Sequence, residues 1–349
     1  MKTELFEEHK KLNAHIVDFH GWDMPLYYTS IITEHNYVRK AAGVFDVSHM
    51  GDIIISGKDS INFLEHILPS NISGMETGTC MYTAFLNHDG NIIDDTIIYR
   101  INSNEFLTVP NASTTGKIYE WMMVNSKNYE VKINNVSDKY SCLALQGPLS
   151  ESISEKLNIK FQKSFTFSGS LDTMIVSGTG YTGEKGIEII IKNEEVISLW
   201  NKILYELKQI KGGPCGLGAR DTLRMEKGML LSGQDFDNNR DPVECSISFI
   251  MSNKGDYIGK ESIEKRNHIE IFRGFIVEDK GIPRHGNLLL DQNGNKIGLI
   301  TSGTMSPTLG KGIALGFLNK NYGKSGSKVF ISIREKNIPA TVSRPKLVP

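Results

Sequence analysis

Two adjacent carboxylates, Asp94 and Asp95, interrupt an otherwise apolar stretch that reads NIIDDTIIY from Asn91 to Tyr99. The β-branched run predicts a strand, in which successive side chains point to opposite faces. One face then carries Asp95 and Tyr99, and the other carries Asp94. Both faces are otherwise apolar, and a buried carboxylate is costly or has a raised pKa unless it has a partner or a task. The stretch alone is equally compatible with a structural ion pair and with catalysis.

A second candidate for ligand chemistry is the segment PCGLGARDTLRMEKGM. Its glycines free the backbone ahead of a helix predicted over residues 219–227, which carries Arg220 and Arg224 one turn apart on one face. Two stacked guanidinium groups suit a ligand that bears a carboxylate. The alternative is that the two arginines pair with Asp221 and Glu226 at the surface.

Two glycine-rich segments resemble nucleotide loops but lack the required context. SGTGYTG, residues 177–183, fits G-x-G-x-x-G, yet the β-branched EKGIEIIIKN follows it where a dinucleotide site needs a helix. We therefore predict a β-hairpin there, without NAD or FAD. In SGTMSPTLGKG, Lys311 precedes Gly312 in place of Ser or Thr, so no phosphate loop is predicted.

Composition excludes several classes of function. The 349 residues are 39% hydrophobic and 23% charged, which allows a sizeable core and two or three domains. The net charge of -1, without Lys and Arg runs, gives no footprint for nucleic acid. No apolar run reaches ~18 residues, and the start lacks the features of a signal or transit peptide, so we expect a cytoplasmic protein without membrane association. The four cysteines and nine histidines lack metal-ligand spacing, and we predict no metal site.

The predicted elements place a mixed α+β body before an all-β region. The clearest helix is NEEVISLWNKILYELKQIKGGP, with an apolar stripe at helical spacing and Asn193 as its expected N-cap. Beyond His268 the pattern consists of strands, including NLLLDQNGNKIGLITSG with a hairpin turn at Asn293 and Gly294. We interpret this last part as a small antiparallel barrel or sandwich.

Several short segments then identify a family by their combination and order. They are DFHGWDMPLYY, EH with a following Arg39, GVFDVSHMG, IIDD, LQGP, TGYTGE, GLGARDTLR, IPRHG and ITSGTMSPTLG. Together, over nearly the whole chain, they resemble the T-protein family of the glycine cleavage system, the tetrahydrofolate-dependent aminomethyltransferases.

The resemblance implies an α+β fold with three lobes arranged as a cloverleaf around a central folate channel. Residues 1–254 would form two intertwined α+β lobes, and residues 268–349 a C-terminal antiparallel β-barrel. The implied reaction moves a one-carbon unit from the aminomethyl-lipoyl arm of H-protein to tetrahydrofolate, with release of ammonia and dihydrolipoyl H-protein. Tetrahydrofolate is thus acceptor and bound cofactor, and lipoylated H-protein is the partner.

The resemblance also assigns residues. Asp95 is implied as the catalytic residue, near the folate nitrogens that receive the carbon. Glu188 suits the N–H groups of the pterin as an ionised acceptor, Arg220 becomes the ligand-side arginine, and Arg224 is left as structural. Arg284 in IPRHG is the candidate for the H-protein docking edge. The residues expected to bind folate are Tyr82, Tyr99, Asn111, Tyr181, Glu188 and Arg220.

The sequence departs from the family pattern at two positions near these residues. Asn91 stands where the family has a glycine, and we expect it to adopt the same left-handed backbone. Pro110 replaces an apolar β-former and removes a backbone donor next to Asn111, which predicts disturbed strand pairing and an altered pose of Asn111.

Two further functions compete with aminomethyl transfer. One is a folate-dependent demethylase of a methylated sulfur or amine, against which the segment FDVSHMG argues. The other is a non-catalytic folate-binding protein of the kind used in iron-sulfur assembly. The Cys-containing glycine motif expected there is replaced by TGYTGEKG.

Overall fold

The helices of the computed structural model, which describes residues 1–253 and 255–349, are short except for one. In chain order they are α1 Phe6–Lys11, α2 Ile31–Lys40, α3 Ser60–Ile67, α4 Thr115–Asn125, α5 Ser150–Lys156, α6 Asn193–Gln209, α7 Leu217–Lys227 and α8 Lys260–Lys265, with 3-10 turns at Ser248–Ile250 and Lys320–Tyr322. The long predicted helix is thus present as α6, and the predicted arginine helix as α7.

Strands make up most of the regular structure. The first thirteen are β1 His15–Phe19, β2 Trp22–Tyr27, β3 Gly43–Asp46, β4 Ile53–Ser56, β5 Cys80–Leu86, β6 Ile92–Asn102, β7 Glu105–Pro110, β8 Lys132–Asn135, β9 Tyr140–Gln146, β10 Phe167–Gly169, β11 Met174–Ser177, β12 Gly186–Lys192 and β13 Gly213–Pro214. The remaining six are β14 Glu270–Val277, β15 Leu288–Leu290, β16 Lys296–Ser306, β17 Lys311–Asn319, β18 Lys328–Ile333 and β19 Lys336–Ser343.

The chain divides into two compact units. The first contains Met1–Phe85, Ile93–Arg220 and Ser252–Ile258, and the second contains Leu86–Ile92, Asp221–Met251 and Gly259–Pro349. The boundaries at residues 254 and 268 stay a prediction.

Two large sheets form the frame of the first unit. One has the strand order β10-β11-β12-β9-β3-β13, and the other has the order β5-β6-β7-β4-β8. β11 and β12 pair in antiparallel fashion, from Met174 opposite Ile191 to Ser177 opposite Glu188. The glycine-rich segment between them therefore lies in a hairpin, as predicted.

One face of the first sheet packs on α6. Ile187, Ile189 and Ile191 of β12 share a buried core with Trp200 and Ile203 of the helix. Because strand side chains alternate, Glu188 projects from the opposite face of β12. Its neighbour across the sheet on β11 is Ser177. The sheet thus separates an apolar helix-covered side from a side that carries polar groups.

The second sheet has its core among β4, β6, β7 and the helices α3 and α4. Ile55, Ile98, Phe106, Phe63 and Met122 are fully buried there. The second unit closes its own core differently, since β14-β17-β16-β15-β18-β19 form a closed barrel whose neighbouring strands are antiparallel. The predicted α+β fold with a C-terminal antiparallel barrel is therefore confirmed.

Two local expectations are corrected by the structure, and a third is confirmed. Asn193 is the first residue of α6 and not its cap, because its side chain bonds to Ser141 and to the carbonyl of Asp138. Gly90, with φ of 79°, takes the left-handed position in the turn before β6, whereas Asn91 does not adopt a positive φ. The predicted hairpin turn at Asn293 and Gly294 is confirmed between β15 and β16, where Gly294 is left-handed and its N–H donates to the carbonyl of Asp291.

Candidate active site

The two aspartates of β6 lie on opposite faces of the strand, as the alternation predicts. Asp94 is completely buried, together with Thr96 and Ile98 on its face, while Asp95 on the other face is half-buried. Thr96 of β6 pairs with Pro110 of β7. The next pair in this register brings Asn111, just after β7, beside Asp95.

Asn111 connects the two carboxyl groups. Its backbone N–H donates to Asp94 Oδ2 over 2.9 Å, and its side-chain Nδ2 lies 2.8 Å from Asp94 Oδ1. The same Nδ2 is 2.9 Å from Asp95 Oδ1. From the other side the Tyr82 hydroxyl donates to Asp95 Oδ2 over 2.8 Å. Both oxygens of each carboxyl group thus accept a hydrogen bond, and one amide bridges the two groups.

This arrangement controls the protonation of Asp95. The pKa of Asp95 is raised to about 7: burial is the largest cause and the neighbouring Asp94 the second, while the hydrogen bonds from Tyr82 and Asn111 oppose the rise. Because the two carboxyl groups interact, the proton taken up near neutral pH belongs to the pair. A carboxyl with a pKa near the physiological range is suited to accept and return a proton.

Pro110 does not disturb this site, which corrects the expectation from the sequence. It is the last residue of β7, paired with Thr96, and its carbonyl accepts a hydrogen bond from the Gly51 N–H over 2.9 Å. The missing N–H of Pro110 falls at the strand end, where the ladder does not continue. Asn111 keeps its contacts with both aspartates.

Arg220 of α7 packs against the loop between β11 and β12. Its guanidinium carbon lies 4.6 Å from the centroid of the Tyr181 ring, a cation–π contact. The predicted ligand residues Tyr181 and Arg220 are therefore brought together.

Glu188 and Tyr99 are joined through two hydroxyl groups. The Tyr99 hydroxyl lies 3.1 Å from Ser177 Oγ, and Ser177 Oγ lies 2.7 Å from Thr179 Oγ1. Thr179 in turn donates to the Glu188 carboxylate. Tyr99 itself is buried, and burial together with the Glu188 charge raises the pKa of its hydroxyl well above the ordinary value. A binding role for Tyr99 stays a prediction.

Arg224 differs from Arg220, one turn earlier on the same helix. It is completely buried, with ion pairs of 2.9 Å to Asp221 and 2.7 Å to Asp235. Glu226 accepts hydrogen bonds from Ser306 and Thr308. The alternative of a surface pairing with Asp221 and Glu226 thus holds in part for Arg224: it does pair with Asp221, whose side chain is 44% exposed, but Arg224 itself and its second partner Asp235 are buried.

Arg284 lies in the second unit and is exposed. One of its guanidinium nitrogens donates to the Gly303 carbonyl over 2.9 Å, and its backbone N–H donates to Asn287 Oδ1 over 2.8 Å. These bonds fix the loop that presents the side chain. Its part in docking stays a prediction.

His49 was not singled out from the sequence, where the histidines were considered only as metal ligands. It is buried, and its Nδ1 lacks a hydrogen-bond partner among the described residues. Burial lowers the pKa of the imidazole to about 4, with Arg220 and His20 adding to the effect and Asp46 opposing it. The neutral ring lies in the segment FDVSHMG, whose resemblance to the family was the signal available.

The described residues contain no group of three or more His, Cys, Asp and Glu side chains placed to hold a metal ion. Within residues 1–253 and 255–349, no helix combines the length and the apolar character needed to cross a membrane.

Comparisons with known proteins agree with this architecture. The family model described as the GCVT N-terminal domain matches residues 5–255, and the glycine cleavage T-protein C-terminal barrel domain matches residues 272–348. An aminomethyltransferase of Caldanaerobacter subterraneus is 42% identical over 98% of this chain and 94% of its own length. One of Staphylococcus carnosus is 41% identical over 98% of this chain and 96% of its own.

A solved structure extends the likeness to three dimensions. The glycine cleavage system aminomethyltransferase T from Bartonella henselae is 27% identical, with a TM-score of 0.95 over 100% of this chain and 98% of that one. The fold and these relatives define the class of enzyme, an aminomethyltransferase of the glycine cleavage system. The chain belongs to the glycine cleavage T-protein family. The demethylase alternative is not favoured.

Proposed function

We propose that this chain transfers the one-carbon unit of an aminomethyl-lipoyl group, carried by H-protein, to tetrahydrofolate. The observation that supports it best is Asp95, a half-buried carboxyl with a pKa raised to about 7 and held by Tyr82 and Asn111 in a fold of this family. The membership in the family supports the choice of tetrahydrofolate and of a protein-bound donor.

The residues of the first unit fit a folate by their chemistry. The Glu188 carboxylate accepts N–H groups, as a pterin edge requires, and the Tyr181 ring offers a flat apolar face. Arg220 carries a fixed positive charge, which suits the carboxylates of a folate tail. Acceptor, aromatic and cationic groups thus occur together, in keeping with a ligand that has an N–H-rich ring at one end and carboxylates at the other.

The reaction balances without an oxidant or a metal. The carbon–sulfur and carbon–nitrogen bonds of the aminomethyl group break, and two bonds form between that carbon and the two folate nitrogens. The two hydrogens of the amine and the two folate N–H hydrogens leave as three on ammonia and one on the lipoyl thiol. Tetrahydrofolate, when bound, supplies the two nucleophilic nitrogens.

The task that we assign to Asp95 is to accept the hydrogen of the receiving nitrogen. Its carboxylate form can do so because Tyr82 and Asn111 orient both oxygens by donation. Its raised pKa makes the proton transferable at neutral pH, in contrast to an ordinary surface aspartate. The negative charge of Asp94 helps to keep the pKa of Asp95 high, and the Asp94 carboxylate holds Asn111 by two hydrogen bonds.

The test is a stoichiometric single-turnover reaction with tetrahydrofolate and aminomethylated H-protein. We expect one ammonia and one methylene-tetrahydrofolate for each aminomethyl group consumed. Ammonia release without methylene-tetrahydrofolate, or no release of either, would contradict the proposal. A parallel incubation with methylated amines and thioethers tests the demethylase reaction, and formation of a methylated or methylene folate there would favour that alternative.

A further inference from the structure

The loop of residues 178–185, here called the Tyr181 loop, is held by two side chains from outside it. It joins β11 to β12 and carries Tyr181 at its middle. The first holding residue is Gln146, at the end of β9, and the second is Arg39, in the last turn of α2. Both lie in segments that carry the resemblance to the family, and no role has been assigned to either residue above.

Gln146 forms hydrogen bonds to the Tyr181 loop through both the nitrogen and the oxygen of its side-chain amide. Its Nε2 lies 3.1 Å from the Thr179 carbonyl and 3.3 Å from the Ile187 carbonyl. Its Oε1 accepts a hydrogen bond of 2.9 Å from the Thr182 hydroxyl. Gln146 is 1% exposed, so these bonds do not compete with water.

Arg39 also forms hydrogen bonds to the Tyr181 loop. One guanidinium nitrogen donates to the Thr182 carbonyl over 2.7 Å and to Glu184 Oε1 over 2.9 Å. The side chains of Arg39 and Glu184 are 10% and 24% exposed, so solvent screens this ion pair only in part. Thr179 and Thr182, the residues held by the two side chains, flank Tyr181 on both sides.

The contact with Gln146 explains why glycines occur in and next to this loop. A Cβ atom on Gly180 or on Gly186 would overlap the amide of Gln146. Glycines of the segment that resembled a dinucleotide fingerprint therefore leave room for the Gln146 side chain to contact the hairpin backbone. Gly183, with φ of 71°, adds the left-handed turn that brings the chain back toward β12.

We propose that Gln146 and Arg39 are positioning residues of the folate site, which act by fixing the Tyr181 ring against Arg220. This rests on the proposed function, in which Tyr181 and Arg220 contact the ligand. The Tyr181 ring lies 4.6 Å from the Arg220 guanidinium only while the loop keeps its path. A loosened loop has to be ordered again when folate binds, and that ordering weakens affinity.

The main variant is Arg39→Gln, because it removes the charge and keeps a side-chain N–H donor. We expect the Kd for tetrahydrofolate to rise about 10-fold or more, while kcat at saturating folate changes less than about 3-fold, since the group that reacts is elsewhere. Arg39→Lys keeps the charge and should recover part of the affinity. Gln146→Ala should act in the same direction, with a larger effect on stability.

A double-mutant cycle separates positioning from general support of the fold. If Arg39 acts through Tyr181, Arg39→Gln should raise Kd less than about 2-fold in a Tyr181→Ala background. Full additivity of the two changes would overturn the proposal. Arg100→Gln is the matched control, because Arg100 also binds carbonyl groups of a nearby loop, at Ser73 and Met75. It should leave the Kd for tetrahydrofolate unchanged.

Amide hydrogen exchange of the ligand-free protein keeps this inference distinct from the proposed function. Arg39→Gln should speed exchange in residues 178–185 at least about 10-fold, and Arg100→Gln should not. Unchanged exchange in Arg39→Gln would refute the grip on the loop. If exchange accelerates while the wild-type protein fails to bind tetrahydrofolate, the grip stands and the proposed function falls.

Discussion

Replacing Asp94 by Asn should shift the pH dependence of turnover although Asp94 is not the residue assigned to catalysis. The negative charge of Asp94 is, after burial, the second cause of the raised pKa of Asp95. Asp94→Asn removes that charge and keeps the size of the side chain. The pKa of Asp95 should therefore fall from about 7 toward its ordinary value. Since turnover needs the carboxylate form of Asp95, the acidic limb of the kcat profile should move to lower pH.

The size of the shift follows from the bridge made by Asn111. Its Nδ2 is 2.8 Å from one Asp94 oxygen and 2.9 Å from one Asp95 oxygen, so those oxygens are at most about 5.7 Å apart. At an effective dielectric constant of about 20, two unit charges at that distance repel by about 3 kcal/mol, or about two pKa units. The acidic limb should thus move from near pH 7 to near pH 5.

The same change should alter stability in a pH-dependent way. An Asn at position 94 offers one acceptor and one donor to the two N–H groups of Asn111, so one of them loses its partner, at a cost of about 1–3 kcal/mol. In the wild type the raised pKa of Asp95 means that stability is lost as pH rises through about 7. Asp94→Asn relieves that loss. Its destabilisation, measured by urea unfolding, should therefore be larger at pH 5 than at pH 8.

The assay is kcat from pH 5 to 9 at saturating tetrahydrofolate and aminomethylated H-protein, followed as methylene-tetrahydrofolate. Asp95→Asn is the comparison, and above pH 7 it should lose about 10²–10⁴-fold in kcat, as a positioned acid–base residue does. Below pH 7 the difference from the wild type should narrow, because wild-type Asp95 is then itself protonated. An acidic limb that stays near pH 7 in Asp94→Asn would refute the coupling. Greater inactivity of Asp94→Asn than of Asp95→Asn would refute the assignment of the catalytic residue.

Four other outcomes follow from the described contacts. Tetrahydrofolate at about 100 times its Kd should stabilise the fold by about 2.7 kcal/mol in thermal unfolding, whereas NAD and FAD at the same concentration should leave the melting temperature unchanged. Glu188→Gln should raise the calorimetric Kd for tetrahydrofolate about 10–100-fold, because a charged acceptor is lost; an unchanged Kd would remove Glu188 from the site. Arg224→Met should cost about 3–5 kcal/mol in urea unfolding, since Asp235 stays buried without its guanidinium partner; a loss under 1 kcal/mol would show that the ion pair contributes little. Free aminomethylated lipoamide should be a far poorer substrate than the H-protein form, and Arg284→Glu should raise KM for H-protein with little change for the free compound; equal effects on both would argue against docking there.

Strand alternation and glycine context could be predicted from the sequence because they depend on local rules. The two-residue period of β6 separates Asp94 from Asp95 without knowledge of any partner strand. The β-branched run after Gly186 predicts a hairpin where a dinucleotide site requires a helix. The strands of the barrel beyond His268 could likewise be predicted from short alternating runs between turn residues.

Partners distant in sequence could not be predicted in this way. Nothing near Asn111 indicates that its amide bridges two aspartates, because that contact depends on the register of β6 and β7. His49 and Gln146 are polar residues whose burial follows from packing of separate segments. The family resemblance draws attention to the segments that contain His49 and Gln146, but it does not indicate what these two side chains contact. Pro110 is the opposite case. Its missing N–H was expected to disturb strand pairing, but it does not do so because Pro110 is the last residue of β7.

The row of hydroxyl groups between Tyr99 and Glu188 has a fixed direction. Thr179 has one hydroxyl proton, which it gives to Glu188. Ser177 then donates to Thr179 over 2.7 Å, its shorter contact beside one of 3.4 Å to the Glu188 carbonyl, and Tyr99 donates to Ser177. A single carboxylate thereby aligns three O–H dipoles across two sheets of the first unit. Neutralising Glu188 would free all three to reverse. The vibrational frequency of the Tyr99 hydroxyl should then report the charge of a side chain that Tyr99 never touches.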